Sequence, residues 1–461
     1  MGQLLRFGVS LVLARLLAPE DFGLLGMAVV ITGFVGLFQT LGTHGAVIQR
    51  KELSAAFVNS VATVNVAMGA ALTCILVLAA PLVAHAYQNE AVAGIVRTLS
   101  FIFLISSFGI VHSSLLNRDL RFNRLVGIEL TATAMQAVAA VTLASFGFKV
   151  WALVTGNLVA ATVTMSLLQL ASPWRVRWGV AWPELRGVWG FSLHLTGVNT
   201  LDYAFKNADK LVIATFLGPD ALGYYWLAYS LCMLPADALT RILGRVLFAA
   251  FSRIQDDDAE LRRAVLRTTG VTMVIVMPMM AGLAAVAGPF AAGALGDKWA
   301  PIAPLIVALV PIGVLTSLSA PTANLYLAKG KSHWLFWWNL TSGTVVVASV
   351  FAGVPWGLLG VAGAYAAVMI PLTAVFLLFP FRLIQLSMSE LLRAMAPIAT
   401  GTGFMVVLVV ATRMALEAAG FRPLTVLALT VPVGPVAYGL AMLVLRPRAF
   451  GDLQRIVSRT S

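Results

Sequence analysis

The chain has 461 residues, 60% of them hydrophobic and 11% Asp, Glu, Lys or Arg, with a mean hydropathy of +0.91. Soluble domains carry about 25% charged residues, so the composition excludes a soluble enzyme and indicates a protein that crosses a membrane many times. The net charge of +12 gathers in alternate loops, where it is a topological signal and an attraction for anionic lipid, and no nucleic acid is expected as a partner.

Divided by the roughly 20 apolar residues that cross a bilayer, the hydropathy predicts fourteen helical spans, at 4–18, 22–42, 58–84, 94–116, 125–147, 150–171, 187–217, 221–249, 265–292, 301–327, 334–353, 356–380, 391–415 and 422–445. The basic loops hold Arg50 and Lys51, then Arg118, Arg121 and Arg124, then Arg175, Arg177 and Arg186, then Arg253, Arg262, Arg263 and Arg267. Lys329, Lys331, Arg382 and Arg393 continue the pattern, and the tail adds Arg446, Arg448, Arg455 and Arg459. Positive loops stay cytoplasmic, which predicts both termini on that side. Cys74 and Cys232 lie inside apolar runs, so neither a disulfide framework nor a zinc site is expected. The first apolar stretch runs into a Pro/Gly motif and not into a small-residue cleavage site, so no cleaved signal peptide is expected.

Residues 11–28, LVLARLLAPEDFGLLGMA, return without a gap at 211–228 as LVIATFLGPDALGYYWLA. Leu11, Val12, Ala14, Leu17, Pro19, Gly23 and Ala28 meet Leu211, Val212, Ala214, Leu217, Pro219, Gly223 and Ala228. The chain therefore reads as a duplication, with a period of 200 residues that is too long for a solenoid. An even number of spans separates the copies, so both insert the same way up, as parallel repeats about a pseudo-twofold axis along the membrane normal. This predicts an all-α fold of two six-helix lobes, 1–172 and 187–380, with a basic cytoplasmic linker at 173–186 and two further helices and a basic tail at 381–461. In each motif the proline stops one helix, the acid after it (Glu20 or Asp220) can cap the next, and the glycine allows tight packing. An outward-facing helical hairpin is expected. The first span is short: Leu4 to Leu17 rises about 21 Å against a hydrocarbon core of about 30 Å. Either the native chain starts upstream of Met1 or this helix is shortened by design.

The seventh span is anomalous, because His194, Asn199, Asp202, Lys206, Asn207, Asp209 and Lys210 fall in a stretch otherwise bound for hydrocarbon. Charges at membrane depth are costly and face water or one another. Asp202 and Lys206 have the spacing of a helical ion pair, and self-neutralising pairs that join two helices are one reading. The other is a cavity wall, which the repeat favours by carrying Lys206 back to Arg6. Further intramembrane candidates are Arg15, Glu129 and Gln136, with Asp237, Arg241 and Arg245 late in the eighth span. The linker, with Trp174, Arg175, Arg177, Trp178 and Trp182, is amphipathic and suited to the cytoplasmic face. No phosphate-binding Gly-rich loop, metal-ligand cluster or long catalytic loop is present in the sequence, and no cofactor is expected.

The segment LARLLAPEDFGLLGMA, continuing to GTHGAVIQR at Gly42–Arg50, resembles the opening of bacterial Wzx-type flippases for lipid-linked oligosaccharides. These belong to the polysaccharide transporter branch of the multidrug/oligosaccharidyl-lipid/polysaccharide exporter superfamily. Asn207-Ala208-Asp209-Lys210, LGPDALGYYWLAYSL with Pro235 following, and FSRIQDD at Phe251–Asp257 extend the resemblance over most of the chain. It implies two six-helix bundles around a central cavity, often with two extra C-terminal helices. It also implies alternating access that moves an undecaprenyl pyrophosphate-linked oligosaccharide, a lipopolysaccharide O-antigen or exopolysaccharide unit, across the bacterial inner membrane. On that basis Arg6, Arg15, Lys206 and Lys210 are assigned to the pyrophosphate, Asn199 and Asn207 to sugar hydroxyls, and Asp202, Asp209 and Glu129 to charge balance or coupling to a proton or sodium gradient. The implied partners are the lipid-linked substrate, membrane lipids, and a polysaccharide polymerase with its chain-length machinery. A multidrug-type cation exporter ranks second, because it needs unpaired carboxylates in its cavity. A membrane glycan polymerase or ligase and a structural scaffold rank below it.

Overall fold

The computed structural model describes residues 2–39, 43–50, 52–447 and 449–452, with side chains described outside 2–4, 49, 186–196, 198, 237 and 239–246. The side chains of Arg186, His194, Asp237, Arg241 and Arg245 therefore lie outside the described set, as do Lys51, Arg448, Arg455 and Arg459. The chain divides into two compact units, Met1–Gly223 and Tyr224–Ser461.

The first unit holds α1 (Gly2–Leu16), α2 (Pro19–Gly36), α3 (Thr43–Gln49), α4 (Ala55–Ala86), α5 (Ala91–Arg118), α6 (Phe122–Ser145), α7 (Val150–Ala171), α8 (Trp182–Phe216) and the first turn of α9 (Gly218–Arg253). The second continues α9 and adds α10 (Asp258–Ala285), α11 (Ala287–Pro289), α12 (Ile302–Ala328), α13 (Ser332–Gly353), α14 (Gly357–Leu383), α15 (Met388–Ala418) and α16 (Pro423–Leu445). Every hydropathy segment falls on one of the long helices. Ten helical stretches among the described residues are long and apolar enough to cross a membrane, one of them the 52-residue α13–α14 stretch Ser332–Leu383. The protein is a multi-pass, all-α membrane protein.

Local chemistry sets the helix ends. Ser54, Asp257 and Ser387 accept hydrogen bonds from Phe57 N, Glu260 N and Glu390 N at 3.0, 2.8 and 3.2 Å, capping α4, α10 and α15. At the start of α2 it is Asp21, not Glu20, that acts: its carboxylate accepts the Ala18 N–H at 2.9 Å. The second copy has Ala221 at that position, so only the first turn is braced this way. Where hydropathy carries the second span to residue 42, α2 stops at Gly36. Just beyond it, the Gln39 amide donates to the Phe103 carbonyl at 3.0 Å and to Ser106 Oγ at 2.7 Å, drawing the chain onto α5. In the second unit Arg413 donates to the Ala285 carbonyl at 2.7 Å, satisfying an orphan carbonyl at the C-terminus of α10. Tyr326, buried between α12 and α14, donates to the Phe376 carbonyl at 3.1 Å.

The two copies of the repeated motif meet. A Cβ on Gly23 would lie 1.7 Å from the Pro219 carbonyl oxygen, and one on Gly223 would lie 1.9 Å from the Pro19 carbonyl oxygen. The contact is reciprocal, each glycine receiving the other copy's prolyl carbonyl. These hairpin turns are thus packed on one another, main chain against main chain, and a side chain at either glycine has no flexible neighbour to push aside.

The linker begins as extended chain. Ser172 is extended, with φ −103° and ψ 130°, the conformation that a following proline imposes. Beyond it, residues 173–181 run without helical structure along α4. Asn59 Oδ1 accepts the Arg177 N–H at 3.3 Å, Thr63 Oγ1 exchanges hydrogen bonds with Gly179 at 3.1 and 3.2 Å, and Ser60 Oγ accepts the Ala181 N–H at 2.7 Å. Trp174 and Val176 pack on the α3–α4–α5 core around Phe57, Val61 and Val111, while Arg175 and Arg177 stay exposed, the alternation of an extended chain. Glu184 closes this strap by accepting from Arg50 and, at 3.1 Å, from Ser54.

Gly23→Ala and Gly223→Ala are each expected to destabilise the fold by about 1–3 kcal/mol or more, the cost of overpacking, read as lowered resistance to unfolding in mixed micelles. The strap carries a pH dependence. Hydrogen bonds from Arg50 and Ser54 hold the Glu184 carboxyl below its ordinary value. Its contribution is complete above the ordinary glutamate pKa of about 4.3 and is lost as pH falls through the lowered folded value. Proteolysis of the strap should therefore accelerate across that acid window in the natural protein and show no such step in Glu184→Gln.

Candidate functional site

The charged residues singled out in the first, fifth and seventh spans all fall in the first unit, on α1, α6 and α8. Their surroundings sort them into two kinds.

Arg6 on α1 donates from Nη2 to Glu129 Oε1 of α6 at 2.8 Å, with side chains 55% and 66% exposed. Lys206 lies 2.8 Å from Asp202 one turn earlier on α8, with side chains 70% and 47% exposed. Asp209 and Lys210 are different: their side chains are 4% and 10% exposed and 3.7 Å apart. The Lys210 ammonium also donates at 3.1 Å to the Lys206 carbonyl and to Asn207 Oδ1, and the Asn207 amide in turn donates to the Tyr203 carbonyl at 3.0 Å. Asp209 Oδ1 accepts the Lys210 N–H at 2.8 Å. Both ends of the Asn207 side chain are thus engaged within α8.

Helical periodicity and one aromatic anchor orient the exposed set. Asn199, Asp202 and Lys206 follow the i, i+3, i+7 rule that puts residues on one stripe, and all three are exposed. Tyr203, four residues after Asn199 and three before Lys206, lies at the edge of that stripe, about 40–60° around the helix. Its hydroxyl donates to the Val30 carbonyl of α2 at 3.0 Å and lies where a Cβ on Gly33 would be 2.2 Å away. The ring stands 6.4 Å from that of Phe34. This seam seats α8 on α2 along the edge of the Asn199–Lys206 stripe. Nothing in the sequence pattern singles Tyr203 out, because an aromatic residue in a membrane helix reads as ordinary core. Arg15 is exposed and nine residues from Arg6, half a turn around the helix at 100° per residue, so the two do not share a face. Gln136, one heptad beyond Glu129, donates to Asn157 of α7 at 3.3 Å.

The repeat relates the two exposed cations. Arg6 precedes the end of α1 at Leu16 by ten residues, and Lys206 precedes the end of α8 at Phe216 by ten. Each therefore sits about 15 Å along its helix from its turn, half the thickness of a hydrocarbon core of about 30 Å, and the turns themselves touch. An exposed ion pair contributes about 0–1 kcal/mol, so either cation can exchange its carboxylate for another anion. Breaking the buried Asp209–Lys210 pair would leave an uncompensated charge at a cost of about 3–5 kcal/mol. That pair lies within α8, while the Arg6 and Lys206 side chains are exposed, each against one carboxylate.

Residues 12–304 match the family model described as polysaccharide biosynthesis protein. The lipopolysaccharide biosynthesis protein WzxC of Escherichia coli (strain K12) is 30% identical over 349 residues, 74% of this chain and 70% of that one. The teichuronic acid biosynthesis protein TuaB of Bacillus subtilis (strain 168) is 29% identical over 356 residues, 74% and 71%. A solved structure, the lipid II flippase MurJ in an inward closed conformation, superposes with a TM-score of 0.74 over 98% of this chain and 97% of that one. At 13% sequence identity the likeness is one of fold.

The sorting of the charges is testable. Asp209→Asn, which leaves a buried ammonium without its counter-charge, should lower stability by about 3–5 kcal/mol, and Asp202→Asn by no more than about 1 kcal/mol, compared by chemical unfolding in mixed micelles.

Proposed function

The chain belongs to the polysaccharide biosynthesis protein family, and from that membership we propose that it is a flippase that carries a diphosphate-linked oligosaccharide lipid across the bacterial inner membrane. The observation that carries this reading is the pair of exposed cations, Arg6 and Lys206, at equivalent positions of the repeat and half a bilayer from touching turns. A diphosphate with a hydrophilic glycan cannot enter hydrocarbon bare, since removing an ion from water costs far more than any single contact returns. Fixed cations in a wet recess replace its hydration shell. The Arg6 guanidinium offers a planar fork to two phosphate oxygens and the Lys206 ammonium a mobile point charge. Asn199, on the Lys206 stripe, supplies an amide to the sugar hydroxyls next to the diphosphate, and the lipid chain stays in the bilayer. Lys210 and Asn207 support this wall from within α8.

An exporter of cations would need carboxylates free to receive its cargo. The exposed carboxylates on α6 and α8, Glu129 and Asp202, are each engaged by a basic side chain, and this favours an anionic substrate. Alternating access of the two repeats, driven by a proton or sodium gradient, is the transport cycle this reading requires. The delivered unit becomes the substrate of a polymerising enzyme on the far leaflet. The homologues named for lipopolysaccharide and for teichuronic acid synthesis differ in polymer, so the recognised element is the shared lipid diphosphate and not one glycan.

Arg6→Gln and Lys206→Gln should each slow translocation of a polyprenyl diphosphate-linked oligosaccharide in proteoliposomes by about tenfold or more, the worth of one charged hydrogen bond. Asp209→Glu, which keeps the buried charge balance, should retain most of the rate. Full translocation by both Gln variants would refute the reading.

A further inference from the structure

The carboxylates that hold Arg6 and Lys206 have an origin unlike that of the cations. The 200-residue offset relates Lys206 to Arg6, but it carries Asp202 to Gly2 and Glu129 to Lys329. Five residues before the repeated segment, that offset sets a basic residue against a basic residue, but no acid against an acid. One copy takes its carboxylate from the same helix, one turn away, and the other takes it from α6, 123 residues along the chain. Two unrelated solutions supply one carboxylate to each cation at the same contact distance of 2.8 Å. Both pairs are exposed, unlike Asp209–Lys210, so neither is part of the packed interior of the first unit.

We propose that Glu129 and Asp202 are resident counter-anions that occupy the phosphate positions on Arg6 and Lys206 when the carrier is empty and are displaced when the diphosphate binds. This rests on the reading above, that these two cations receive the diphosphate. An empty carrier returns through the membrane with the same side chains it used when loaded, and a bare cation at half-bilayer depth is costly. A carboxylate on a short, exposed stem neutralises the cation for that return. It then swings aside for a ligand that brings two linked phosphates and more charge. Once displaced, each carboxylate stands beside the bound diphosphate and repels it, which weakens holding and favours release on the far side. The carboxylates therefore compete with the substrate, and removing one should tighten binding where removing a cation abolishes it.

The test uses the full chain in lipid nanodiscs, with farnesyl diphosphate as the probe and farnesol as its uncharged control. Glu129→Gln and Asp202→Asn are each expected to bind farnesyl diphosphate about fivefold more tightly than the natural protein, the equivalent of one exposed ion pair, with farnesol binding unchanged. Because the two pairs lie on different cations, the double variant should gain the product of the two factors, about 25-fold. Glu129→Ala and Asp202→Ala carry the same expectation, so a failure of one substitution to fold leaves the other to decide. Unchanged or weaker binding by the carboxylate variants, while Arg6→Gln and Lys206→Gln lose binding, would overturn the counter-anion role and leave the flippase reading standing. Binding of farnesyl diphosphate that survives Arg6→Gln and Lys206→Gln would overturn that reading itself.

Discussion

Main chain meets main chain where the two copies of the repeated motif touch, with the Pro219 carbonyl in the space a Gly23 side chain would fill and the Pro19 carbonyl in the space of a Gly223 side chain. Proline is useful on both sides because its fixed φ and missing N–H suit the first turn of the helix that follows. Glycine is required on both sides because nothing larger admits that carbonyl. Each helix that leads into the contact, α1 or α8, carries its exposed cation ten residues earlier. A contact between turns thus sets the level of two charges, without any direct bond between them.

Around that frame the described charges on α1 and α8 fall into exposed and buried pairs. Where the site is closed the match is permanent: Lys210 has the Asp209 carboxylate, a main-chain carbonyl and the Asn207 amide oxygen. Where the side chains are exposed, Arg6 and Lys206 each meet one carboxylate, Glu129 or Asp202. The second unit keeps its ion pairs elsewhere, with Arg262–Glu390, Lys329–Asp258 and Arg267–Asp452 tying helix ends and the tail. Those pairs do the work of clasps, and the strap closed by Glu184 does the same for the first unit.

Much of this was legible before the chain was folded. Hydropathy located every long helix, because the bilayer imposes a minimum length of apolar sequence on each. The gapless echo of Pro19 and Gly23 in Pro219 and Gly223 marked the two turns, and the i, i+4 rule marked Asp202–Lys206. The Arg6–Glu129 pair was not legible, since nothing local relates residues so far apart. The same sequence signal, a charge in an apolar helix, covered both the exposed Lys206 and the buried Lys210, and only packing distinguishes them. The linker's tryptophans and arginines suit an amphipathic surface segment equally well. Its extended path depends on Asn59, Ser60 and Thr63 of α4 offering polar side chains to its backbone.

The sequence by itself determined that the chain spans a membrane, that the segment 11–28 recurs at 211–228, and that a basic residue stands five positions before each copy. These follow from local quantities, namely hydropathy, spacing and identity at a fixed offset. Only the tertiary structure decided that the two turns pack face to face, that Tyr203 seats α8 on α2, and which carboxylate each cation holds. Those depend on the angle and approach of helices distant in sequence, and a side chain's exposure is a property of its neighbours and not of its own residue type.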